Sequence, residues 1–223
     1  LTHPNRDRDH GRIWRVVWRG AAGDLANPPP SNLAALSTPA LAEQLLDANL
    51  VVRSLAAATL RTRPADPATI AWLRASALRL ITGAAGPVDE TALLPLLFSL
   101  EHVGAGDDAL LRQALARRES DAAIAALRVL AARSRLEDSW RPDFEALLAA
   151  PAPEFAARVA AEVFQRQPGP WQARLILAAL SPATTAADFE LHYALRLALK
   201  ANAQIADARR LHSWAEDPAA ASS

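Results

Sequence analysis

Asp7, Asp9 and His10 stand within four residues of one another and carry the groups that coordinate metals and move protons. Two carboxylates and an imidazole could hold a divalent cation or work as an acid/base set. The same combination is common in solvated turns, and no further ligand follows at a recognisable spacing. These residues therefore read as part of a polar loop. His102, His192 and His212 each stand alone on a helical stretch, with no histidine four residues away and no H-E-x-x-H pattern to put two imidazoles on one helix face. Glu101 directly precedes His102, and neighbouring residues on a helix point in different directions, so the two do not form a working pair. Ser31, Ser37 and the other serines lack a G-x-S-x-G elbow, and the chain contains neither G-x-G-x-x-G nor a Walker sequence. Cys is absent, which removes disulfides, cysteine zinc sites, thiol nucleophiles and C-x-x-C-H haem attachment from these residues. No catalytic, cofactor-binding or metal residue is expected here.

Composition narrows the partners further. The 223 residues are 51% hydrophobic and 22% charged, ordinary globular usage, with 24 basic residues balanced by 24 acidic ones. A net charge of zero gives no field to attract nucleic acid or an anionic membrane. No run of 18 apolar residues occurs and the start lacks the order of a signal peptide, so direct membrane insertion is not expected and any export signal would lie upstream. The absence of Met, even at position 1, suggests a part of a longer chain.

The elements that would position any site fall into two kinds. Asn5–Gly20 reads as a polar loop running into one β-strand. From Arg12 to Arg19 the residues alternate, with Trp14, Val16 and Trp18 on one face and Ile13, Arg15, Val17 and Arg19 on the other. One strand cannot satisfy its own backbone, so its partners must lie elsewhere. Arg12, Arg15 and Arg19 could form a basic stripe but suit the outer face of a strand better. The glycine- and proline-containing segment after Gly20 is linker chemistry.

Everything beyond reads as helix. Ser37, Thr38 and Pro39 give a cap followed by proline, Asn49 caps Leu50–Arg63, and Asp66 with Pro67 repeats the signal up to Gly83. Asp89 opens a segment to about Val103 that Pro95 should kink or divide. Asp107, Ser120, Pro142, Pro153 and Pro170 open others, and two more cover about 186–201 and 203–215, roughly eleven short helices in all. Apolar residues recur on single faces, as in Leu41, Leu45 and Leu46, or Ile124, Leu127 and Leu130, or Leu191, Leu195 and Leu199. Short connections favour antiparallel hairpins stacked into an α-solenoid, and the 71 residues from Asn49 to Ser120 are about two repeats of ~35 to 45. Trp72, Trp140, Trp171 and Trp214 could line a concave groove, although packing between repeats is the safer assignment.

Several stretches resemble known families. DANLVVRSLAAATL, Asp47–Leu60, resembles the second helix of a HEAT repeat, with Asn49, Val52, Arg53, Ala57 and Leu60 in the characteristic places. Leu93–Arg135 resembles a further stretch of such repeats but has Ala122 and Ala123 where Val-Arg would stand, which puts the arginine ladder of that family in doubt there. The opening DRDHGRIWRVVWRG looks like the last β-propeller strand of the membrane-bound dehydrogenase family common in planctomycetes and verrucomicrobia, and SLEHVGAGDDALL and ADFELHYALRLALKANA look like its repeat region.

The resemblance implies an all-α, HEAT-like α-solenoid of about five helical hairpins over 37–217. It also implies a residual propeller strand within 1–20, closed with the help of His10 and Arg12, a Pro-rich linker at 21–36 and a tail at 218–223. By the same resemblance the parent is similar to glucose/sorbosone dehydrogenases, with a PQQ-like cofactor and haem c outside this segment, in a periplasmic or extracytoplasmic location. The expected role is non-catalytic interaction and scaffolding with a protein partner or adjacent domains, as a monomeric segment. The alternative is a direct part in a redox enzyme, covering the propeller's substrate site or docking a cytochrome c.

Overall fold

The computed structural model describes residues 32–64, 66–83, 90–117, 120–149, 154–180 and 188–203. The strand Arg12–Arg19, the linker to residue 31, the helix expected over about 203–215 beyond Ala203 and the tail lie outside them. Among the described residues every regular element is helical. Ten α-helices follow in chain order: α1 Thr38–Glu43, α2 Leu50–Leu60, α3 Pro67–Thr82, α4 Leu93–His102, α5 Asp108–Ala116, α6 Asp121–Ala132, α7 Arg141–Leu148, α8 Glu154–Arg166, α9 Pro170–Leu180 and α10 Phe189–Ala203.

Local chemistry sets their starts. Ser37, one residue ahead of the expected Thr38, is the α1 cap and accepts the Ala40 N–H. Asn49 Oδ1 accepts from Val51 N (2.9 Å), Asp66 Oδ1 from Thr69 N (2.8 Å) and Asp107 Oδ1 from Leu110 N (3.2 Å), each satisfying a first-turn donor that the helix leaves open. Before Pro95 the chain makes a 3-10 turn at Glu90–Ala92, and α4 starts at Leu93. Pro95 thus falls in the first turn, where its missing N–H costs nothing. The break is upstream of the proline rather than at it.

Chain ends of helices are equally local. Gly83 and Gly104 have φ of 73° and 70°, the left-handed region that stops α3 and α4. At Gly104 the Ala105 N–H reaches the Leu100 carbonyl (2.9 Å) and the Gly104 N–H the Glu101 carbonyl (3.1 Å), a Schellman closure.

Packing is pairwise and sequential. α1 packs on α2, α3 on α4, α5 on α6, α7 on α8 and α9 on α10. Across pairs, the even-numbered helices meet in order, α2 with α4, α4 with α6, α6 with α8 and α8 with α10. The odd-numbered ones do likewise for α1 with α3, α3 with α5 and α7 with α9, while Arg112 of α5 reaches Asp143 of α7 at 3.1 Å. Between the two rows lies one continuous apolar core. Leu41, Leu45, Leu73, Leu93, Leu96, Leu111, Leu127 and Leu130 are almost wholly buried in it. Phe144, Phe164 and Trp171 close the α7–α9 end with ring centroids 4.9, 5.6 and 6.0 Å apart, the last two edge-to-face.

Candidate binding groove

Each even-numbered helix after α2 ends in a polar side chain that bonds back to the C-terminal end of the even-numbered helix before it. His102, at the end of α4, holds Nε2 3.1 Å from the carbonyl of Arg61, 41 residues earlier at the end of α2. A carbonyl only accepts, so the ring carries its proton on Nε2. Arg133, just past α6, makes a two-pronged bond to Glu101 at the end of α4, 32 residues earlier, and donates to Asp108 of α5 at 2.7 Å. Gln167, just past α8, donates to the carbonyls of Leu130 and Arg133, 37 and 34 residues back. Asn202, in the last turn of α10, donates to the Phe164 carbonyl of α8 (3.0 Å), 38 residues back, and accepts the Gly169 N–H (2.8 Å).

These bonds fix direction as well as spacing. Helices whose C-terminal ends touch are parallel, and the opposite ends agree. Arg53 near the start of α2 donates to Thr91 just ahead of α4 (2.9 Å), and Arg158 of α8 binds Asp188 at the N-cap of α10 (2.9 Å). Arg53 is 4% exposed and also donates to the Asp47 carbonyl (2.8 Å). In α6, Ala122 and Ala123 are buried and apolar where the repeat pattern would put Val-Arg, and Arg133 and Gln167 make the polar ties at the other end instead. Burial works against the Arg133 charge, but its bonds to Glu101 and Asp108 outweigh that and hold its pKa above the ordinary value.

Over this parallel row lies an open groove of about 660 Å³. α4 forms the floor with Leu94, Pro95 and Phe98, all half-buried. α2 forms one wall with Leu50, Ser54, Ala57, Ala58 and Arg61, residues spaced to lie along one face of the helix. The last turn of α6 forms the other wall, where Ala132 and the Arg133–Glu101 pair sit. Leu50 is 64% exposed although apolar. Arg61 is exposed at the far end of the same wall and forms no ion pair among the described residues.

His102 therefore borders the groove, and Glu101 turns the opposite way, towards α6. His192 is half-buried in α10, away from that groove's lining. Trp140 and Trp171 belong to the core, at 0% and 8% exposure, with the Arg112 guanidinium 4.2 Å above the Trp140 ring; Trp72 packs against the core half-buried. None of these three tryptophans lines the groove. Ser37 is spent on capping. Asp7, Asp9, His10, Arg12, Arg15, Arg19, Ser31, His212 and Trp214 lie outside the described residues. No group of three metal-capable side chains occurs among the described residues, and no helix there is long and apolar enough to cross a membrane.

The ladder of polar helix ends was missed in the sequence. Its signal was present, since His102, Arg133, Gln167 and Asn202 follow one another at 31, 34 and 35 residues (102 to 133 to 167 to 202). Four different residue types hid it. No family model, curated protein or solved structure matches this chain.

Proposed function

We propose that the helical region is a HEAT-like α-solenoid of about five hairpins, serving as a non-catalytic interaction and spacing module within a larger dehydrogenase-like protein. The observation that carries this reading is the recurring bond between successive even-numbered helix ends, at separations of 32 to 41 residues. That interval is the length of a helical-pair repeat, and a chain of such pairs offers an extended face on which side chains of successive helices meet a partner. The open groove along α2, α4 and α6 is such a face.

The parent's nature rests on the resemblance of DRDHGRIWRVVWRG to a terminal propeller strand, which would place the catalytic propeller, its PQQ-like cofactor and a haem c in other segments, outside the cytoplasm. Sequencing the gene on both sides of this chain tests it. The expected result is propeller blades encoded ahead of Asn5 and a C-x-x-C-H motif behind the helices. A flanking sequence with neither would overturn the dehydrogenase-like parent.

A further inference from the structure

We infer that the groove over α4 receives an amphipathic helical segment of about three turns, docked antiparallel to α2 with carboxylates in its first turn beside Arg61. The inference rests on the interaction-module reading and names the partner's chemistry. Length comes from the wall itself. Leu50 and Arg61 mark its two ends, eleven residues apart at 1.5 Å each, or about 16 Å. Shape comes from side-chain size. Ala57, Ala58 and Ala132 let a second helix approach closely, while Leu50, Leu94 and Phe98 offer the apolar surface its buried stripe needs.

Direction and charge come from two separate observations, the helix dipoles setting the direction and the Arg61 guanidinium offsetting the repulsion that the C-terminal ends of α2 and α4 exert on a carboxylate. α2 and α4 run parallel, so their negative dipole ends lie together at Arg61 and His102. A helix laid antiparallel brings its positive N-terminal end there, and that is where carboxylates are most at home on a helix. At the same end, the Glu101 carboxylate is engaged by Arg133, while the exposed Arg61 guanidinium forms no ion pair among the described residues. An incoming first-turn carboxylate answers that charge. A basic first turn meets Arg61 as a like charge.

The test uses the full chain and three fluorescein-labelled amphipathic peptides of about fifteen residues sharing one apolar stripe. One carries two Glu in its first turn, one carries them in its last turn, and one carries two Lys in the first turn. Fluorescence anisotropy should rank the first-turn Glu peptide tightest, at least about fivefold over the Lys peptide, with the gap narrowing as salt is raised. Arg61→Gln should erase that preference and Arg61→Glu should reverse it. Ala58→Trp, at an exposed groove position, should weaken every peptide about tenfold or more with an unchanged circular dichroism spectrum. Equal binding of the three peptides, indifference to Arg61→Glu or indifference to Ala58→Trp would each overturn the inference, as would no binding at all. None of those outcomes bears on the flanking gene sequence, so the dehydrogenase-like parent stands or falls separately.

Discussion

Arg133 is a residue on which polar contacts from three helices converge. Its guanidinium joins the end of α4 through Glu101 and the start of α5 through Asp108, and its centre lies 5.9 Å from the centroid of the Trp140 ring. Removing it leaves two half-buried carboxylates without their cation, so Arg133→Ala is expected to cost about 1 to 3 kcal/mol, read from the urea unfolding midpoint. Gly106 supplies an independent check of the same contact. A Cβ there would come within 2.5 Å of Glu101 Oε1, the atom that Arg133 holds. Gly106→Ala should therefore destabilise the native chain by displacing Glu101, yet cost much less when Arg133 is already alanine. Additive losses in that double-mutant cycle would show that glycine is needed for another reason. Asp188 carries a pH-dependent contribution. The Leu191 N–H, in spite of partial burial and with help from Arg158, holds its carboxyl below the ordinary 3.8. A folded-state value below the unfolded one stabilises fully above 3.8 and fades as pH falls through the lower folded value. The melting-temperature gap between native and Asp188→Asn protein should accordingly be widest near neutrality and close in acid; a gap constant with pH would contradict this.

Helix boundaries follow rules that act over a few residues, and the positive φ of Gly104 shows how sharply. A Cβ at Gly104 would meet nothing within 4 Å, so Gly104→Ala pays only for the left-handed backbone, about 1 kcal/mol by chemical denaturation. A loss well beyond that would mean the turn is crowded in a way its geometry does not show. The same locality explains what could be read in advance. Asn49, Asp66 and Asp107 announced their helices because cap and donor lie two or three residues apart. Pro95 is legible as a potential break, but whether a proline breaks a helix depends on where the first turn begins, and here that is Leu93. His102 was legible as a solitary histidine and no more. Its partner is a backbone carbonyl 41 residues away, and every residue has a carbonyl, so no residue type marks the pairing.

Over the whole array, stability should be uneven. Among the described helices α1 and α10 meet others on one side only, so they should exchange their amides faster than α4 and α6, which are covered on both sides. Asn202→Ala, which removes the tie from α10 to α8, should speed exchange in α10 and leave α2 unchanged. The direction and order of the even-numbered helices is the claim from which the groove, the repeat reading and the partner all follow. The chain has no cysteine of its own, so pairs of single cysteines at exposed Thr62, Ser134 and Arg166, at the ends of α2, α6 and α8, can be spin-labelled cleanly. With neighbouring helices ~10 Å apart, pulsed dipolar spectroscopy on the full chain should give roughly 20 Å from Thr62 to Ser134 and a distinctly longer distance, roughly 30 Å, from Thr62 to Arg166. A Thr62–Arg166 distance equal to or shorter than Thr62–Ser134 would place α8 back against α2 and contradict the row.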